Sequence, residues 1–200
     1  MNETNAVVLT MAARLTGYPS STFREELEEL VEIANAALDE EPVRMAILNA
    51  AEGLAVLPLR EAQERYVAAF DLKDRTGLYL TAHELGDSRK RGVALLELRE
   101  MAQSHGFEPL HDELPDYLPM LYELAAVVPS SDSSQQLVDR LAFATHRIRI
   151  NLPDDNPYKP IFELLMETVF DTPTDEIMQE RERSREKPDL DAMPYPLMYK

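Results

Sequence analysis

The chain has 200 residues, no cysteine, 44% hydrophobic residues and a formal net charge of −17. Its length and apolar content suit one globular domain with a sizeable core. The lack of cysteine excludes disulfides, thiolate nucleophiles and Cys-ligated zinc or iron–sulfur centres, and the acidity disfavours nucleic acid while favouring a basic peptide.

The opening MNETNAVVLTMAARL lacks the basic and long apolar regions of a signal peptide. No apolar run reaches the roughly 18 residues of a membrane span, so a cytoplasmic protein is the expectation. Residues 5–16 predict a short apolar helix stopped by Gly17 and Pro19. Residues 21–40 give the clearest helix, with Leu27, Leu30, Val31, Ala34 and Leu38 on one face and a capping box from Thr22 and Glu25. Pro42 opens a helix over 43–57, and Pro58 separates it from one over 59–70 carrying Ala62, Tyr66, Ala69 and Phe70.

A helix over 76–85 ends at Gly86, and Asp87 caps the next, over 88–104. That helix starts with Arg89, Lys90 and Arg91, cations that oppose the helix dipole and call for acidic partners elsewhere. Further helices are predicted over 115–128 and 135–151, the latter capped by Asp132 with Gln135, and from Asn156-Pro157 to about 169. The reading is an all-α single-domain bundle of about eight or nine helices over 1–171. An exposed helix at 174–186 and a mobile proline-containing tail from Pro188 complete residues 172–200.

Tests for chemistry come out negative. There is no P-loop, G-x-G-x-x-G or nucleophile elbow. The single Glu-x-x-His, Glu108 to His111, contains Pro109, so a di-iron helix pair is not indicated. His83, His105, His111 and His146 are scattered. No catalytic residue, metal ligand or cofactor is assigned. The stretch Tyr66–His105 is different: Tyr66, Phe70 and Tyr79 stand among Asp71, Lys73, Asp74 and Arg75. Such mixing suits a contact surface, an aromatic floor with an acid, Asp116, at its rim. The alternative is that the aromatics are core and the charges a solvated loop.

YVAAFDLKDRTGLYLT, GDSRKRGVALLEL and ELPDYLP, in that order, closely resemble the nitrate reductase molybdenum cofactor assembly chaperones. These NarJ or delta-subunit proteins fall within the TorD-like redox-enzyme chaperones. The resemblance is strongest from Tyr66 to about Ala126; Gly77 and the Ala82-His83 pair depart from the expected pattern. It implies a cytoplasmic, non-enzymatic, all-helical chaperone. Its partner would be the apo catalytic (alpha) subunit of a respiratory nitrate reductase, bound through that subunit's N-terminal peptide. It would support molybdenum cofactor insertion, alongside cofactor-insertion proteins, with no nucleic acid or membrane span involved. The family's peptide-recognition positions match Tyr66, Phe70, Asp116 and Tyr117; adjacency adds Asp71, Leu72, Arg75 and Tyr79. Two other readings stay open: a carrier of the molybdenum cofactor, which needs a basic cradle, and a structural subunit of the reductase.

Overall fold

Apolar periodicity places most of the helices. A computed structural model describes residues 2–107 and 113–186. α1 (Glu3–Leu15) is capped by Asn2, whose side chain accepts from the Asn5 N–H at 2.7 Å, and it buries Val8, Leu9, Ala12 and Leu15. α2 (Phe23–Ala37) buries the expected Leu27, Leu30 and Ala34, with Leu38 buried just past its end and Val31 packed half-buried against the core. α3 (Glu41–Ala55) carries Pro42 in its first turn and buries Ile47, Ala50, Ala51 and Leu54. α4 (Leu59–Tyr66) runs directly into a π-helical turn, Val67–Asp71.

The short α5 (Leu80–Leu85) and α6 (Arg91–Ser104) follow, then α7 (Leu118–Val127), α8 (Asp132–Asn151), α9 (Lys159–Thr168) and α10 (Asp175–Ser184). α1 is central: it lies chiefly on α7 and also touches α9, α2 and α3, while α8 packs on both α7 and α9. Tyr122 of α7 is wholly buried, with its hydroxyl 2.8 Å from Thr145 Oγ1 of α8. Burying such rings contributes about 1.5–3 kcal/mol each, and the hydrogen bond removes the penalty of a dry hydroxyl. The bundle is all-α, with nine α-helices up to Thr168 and α10 after them among the described residues.

Several differences from expectation arise where tertiary contacts override local preference, and others at helix caps from neighbours three or four residues away. The helix expected over 76–85 forms only from Leu80, because Tyr79 is extended and pairs with Tyr117 in an isolated antiparallel bridge. The helix expected from 115 starts at Leu118 for the same reason. Asp87 caps nothing: α6 begins at Arg91, and the Asp87 N–H donates to the Glu186 carbonyl at 3.2 Å. Thr22 makes no capping bond; its hydroxyl donates to Glu26 at 2.5 Å. α8 is capped by Ser131 and Ser134 reciprocally, not by Asp132 and Gln135. Among the described residues, no single helix is long and apolar enough to cross a membrane. Glu108–His111 and the tail from Pro188 lie outside the described residues.

Candidate functional site

The Tyr79–Tyr117 bridge joins two segments distant in sequence. Leu80 N–H donates to the Asp116 carbonyl and Leu118 N–H to the Leu78 carbonyl, both at 2.9 Å. This clasp sets the Tyr79 and Tyr117 rings 5.8 Å apart. On the other side, the Tyr117 hydroxyl lies 3.0 Å from that of Tyr66, at the end of α4. Tyr66 in turn packs edge-on against Phe70 at 5.0 Å, Tyr18 at 5.2 Å and Tyr158 at 6.0 Å. The π-helical turn carries Phe70 inward, 4.9 Å from Tyr158. The chain then reverses through residues 72–77, where Thr76 is buried and its hydroxyl donates back to the Ala69 carbonyl.

Burial raises the Tyr66 phenol far above its ordinary value, with Tyr117 adding to it. Burial also raises Tyr117, and burial together with Glu113 raises Tyr79, whose hydroxyl donates to Glu113 at 3.1 Å. These hydroxyls therefore stay neutral and act as hydrogen-bonding groups.

Asp116 is fully buried, not at a rim. Its Oδ2 accepts from the Thr81 N–H at 3.1 Å and from the Thr81 hydroxyl, and Arg91 Nη2 stands 3.8 Å away. Arg91 Nε also donates to the Thr81 hydroxyl oxygen at 3.1 Å. Arg91 thus has its acidic partner, while Arg89 and Lys90 remain exposed. The carboxylate, 0% exposed, locks the clasp to the starts of α5 and α6.

Of the eight predicted residues, Tyr66, Phe70, Tyr79, Asp116 and Tyr117 are joined by ring contacts, hydrogen bonds and the backbone bridge, with the Asp71 charge close enough to add to the burial that raises Tyr66 and Tyr117. Tyr66, Phe70 and Asp116 are buried, with the two rings 5% and 3% exposed, so the expected open aromatic floor is here closed core. Tyr79 and Tyr117 are half-buried and Asp71, Leu72 and Arg75 exposed, Leu72 to 75%; Arg75 faces the space lined by Arg147, Met178 and Glu182, not the tyrosine pair.

A second cluster beside the clasp was not singled out by sequence. His83 is buried; its Nε2 lies 2.6 Å from the Gly77 carbonyl and its Nδ1 3.0 Å from Arg147 Nη1. Arg147 can only donate, so Nδ1 accepts and Nε2 carries the proton. Burial pushes the imidazole down to about 4, Arg147 assisting against the opposing Gly77 bond. Arg147 also donates to the Asp74 carbonyl at 3.3 Å and to Glu182 at 3.2 Å. The signal available was the pair of departures noted above, Gly77 and His83, which here touch one another. Among the described residues, no three His, Asp or Glu side chains gather as metal ligands.

The fold is thus an all-α single-domain bundle consistent with the TorD-like class, carrying a tyrosine-lined clasp. The family profile for the nitrate reductase delta subunit matches residues 22–148, and the chain belongs to that family. It is 34% identical over 131 residues to the probable nitrate reductase molybdenum cofactor assembly chaperone NarJ of Bacillus subtilis (strain 168), covering 63% of this chain and 68% of that one. It is 30% identical over 165 residues to the corresponding NarJ chaperone of Escherichia coli (strain K12), covering 80% and 68%. A segment of the nitrate reductase-like protein NarX of Mycobacterium tuberculosis (strain ATCC 25618 / H37Rv) is 37% identical over 123 residues, covering 61% of this chain and 18% of NarX.

Proposed function

We propose that this protein is a cytoplasmic, non-catalytic assembly chaperone. Its client is the apo catalytic subunit of a respiratory nitrate reductase, held through its N-terminal segment while the molybdenum cofactor is inserted. Family membership and the names of its relatives support the chaperone role. The observation that supports the site is the Tyr79–Tyr117 clasp, which joins residues 78–80 to LPDYLP, with the Tyr117 hydroxyl 3.0 Å from that of Tyr66 on the helix leading into FDLK. In this reading Leu72, Tyr79, Tyr117 and Asp71 meet the client, while Tyr66, Phe70 and Asp116 hold that surface in shape. A peptide with apolar side chains covers Leu72 and the tyrosine edges, and its cations are drawn by the acidic chain. The carrier reading has less support, because Arg91 of the short basic run is engaged by Asp116.

Calorimetric titration with the N-terminal peptide of the reductase catalytic subunit tests the proposal. Saturable binding, weakened by Leu72→Ala and by Tyr79→Ala, is expected. Absence of binding, with the molybdenum cofactor itself binding instead, would favour a carrier.

A further inference from the structure

α6 turns two different faces to its surroundings. Leu98 and Ala102 are its buried residues, and Arg91, on the same side, reaches Thr81 and Asp116. At about 3.6 residues per turn the opposite side carries Val93, Leu96 and Glu100, with Arg89 in the tight turn that leads into the helix. All four are exposed, Val93 to 61% and Leu96 to 58%. The outward face of a surface helix is ordinarily polar, yet two branched apolar side chains stand at the middle of this one. Among the described residues Arg89, Lys90, Glu97 and Glu100 form no ion pair. Gly92, beside the stripe, has open space where a Cβ would stand.

The stripe is its own complement. Its spacing is four, three and four, that of a coiled-coil seam. A second, identical helix running the other way brings Val93 opposite Leu96 and Leu96 opposite Val93. The same register sets Arg89 against Glu100 at both ends and Lys90 beside Glu97 on one flank. Contact of residue i with j and of j with i is what a two-fold axis produces. A parallel pairing would set Arg89 on Arg89 and Glu100 on Glu100, so the charges select the antiparallel one.

We propose that the outer face of α6 is a self-association surface whose partner is the same face of a second copy of this chain, running antiparallel. One helix on one helix is a small contact, below the roughly 1,200 Å² that stable interfaces bury, so the dimer is weak and concentration-dependent. The charge of −17 on each copy opposes it at long range. At physiological ionic strength, where the Debye length is about 8 Å, that repulsion is screened more than pairs in contact are. The inference does not rest on the proposed chaperone role.

Sedimentation of the full chain over a concentration series reaching about 1 mM tests it. A reversible monomer–dimer equilibrium is expected for wild type. Arg89→Glu and Glu100→Arg each place like charges at both ends of the contact, and each is expected to weaken it at least ~10-fold. An equimolar mixture of these two variants is expected to recover wild-type association as a heterodimer, because every charged contact is then opposite in sign again. The double swap, Arg89→Glu with Glu100→Arg, is expected to recover it too, at the wild-type net charge. Val93→Ser with Leu96→Ser is expected to remove the dimer while circular dichroism stays at wild type, since both side chains are exposed. If that pair misfolds, the charge-reversal mixture decides alone. A wild type that is monomeric throughout, which leaves the face to some other partner, overturns the inference. So does a dimer that survives the serine pair or the single reversals, or one that the reversals weaken and neither the mixture nor the double swap restores.

Discussion

Two buried titratable residues show what single side chains do here. Asp116 looked like a rim acid because it stands beside a helix start in a charged segment, but its partners, Thr81 and Arg91, lie 35 and 25 positions away. With those partners its role is to hold the clasp. Asp116→Asn removes the charge facing Arg91 and weakens a buried pair of hydrogen bonds, so a stability loss of about 1–3 kcal/mol is expected by urea denaturation. The salt dependence of peptide binding is expected to stay at the wild-type slope; a flattened slope would show Asp116 meeting a client cation directly. His83 supplies a pH test. Its imidazole is held down to about 4 from an ordinary 6.5. Above pH 6.5 it is neutral in both the folded and unfolded chain. Between 6.5 and 4 the unfolded chain takes up a proton that the folded chain refuses, so stability falls as the pH falls. The loss approaches about 3 kcal/mol at the bottom of that window. Denaturation of wild type and His83→Gln at pH 7 and 4.5 checks it: the variant is expected to show the smaller drop, and equal drops would place the proton elsewhere.

At the scale of elements, legibility followed the range of the deciding contact. The α2 stripe was readable because Leu27, Leu30 and Ala34 repeat within a few turns and all face one way. The pairing of Tyr66 with Phe70 on one helix face was readable too, yet periodicity does not say whether that face meets solvent or core. The truncation of α5 and α7 was not readable, since it comes from backbone pairing between Tyr79 and Tyr117. The grip on α10 is likewise long-range: Arg185 reaches Asp74 across 111 positions. Gly86 is the backbone point where that grip ends. It sits at φ 62°, and a Cβ there would come within 2.0 Å of the Glu186 carbonyl oxygen. Gly86→Ala is therefore expected to break the Gly86–Glu186 bridge and to destabilise the protein by more than about 1 kcal/mol. Limited proteolysis reads the same change as faster cleavage around α10; an unchanged digestion pattern and midpoint would show that α10 holds without this bridge.

For the whole molecule, a charge of −17 spread over an all-α bundle sets the terms of association. Its acidity attracts basic segments at low salt, and in the proposed reading specificity comes from the apolar and tyrosine edges at the clasp. The split between buried and exposed site residues predicts a division of labour. Removing an outer side chain weakens client binding without unfolding the protein, whereas removing Tyr66 or Phe70 first weakens the fold. The most direct test is calorimetric titration of the N-terminal peptide of the nitrate reductase catalytic subunit against wild type, Leu72→Ala and Tyr79→Ala, each with wild-type circular dichroism. The account predicts binding by wild type and a loss of about 1–3 kcal/mol in each variant. Wild-type affinity in both folded variants would contradict it and place the client on another face.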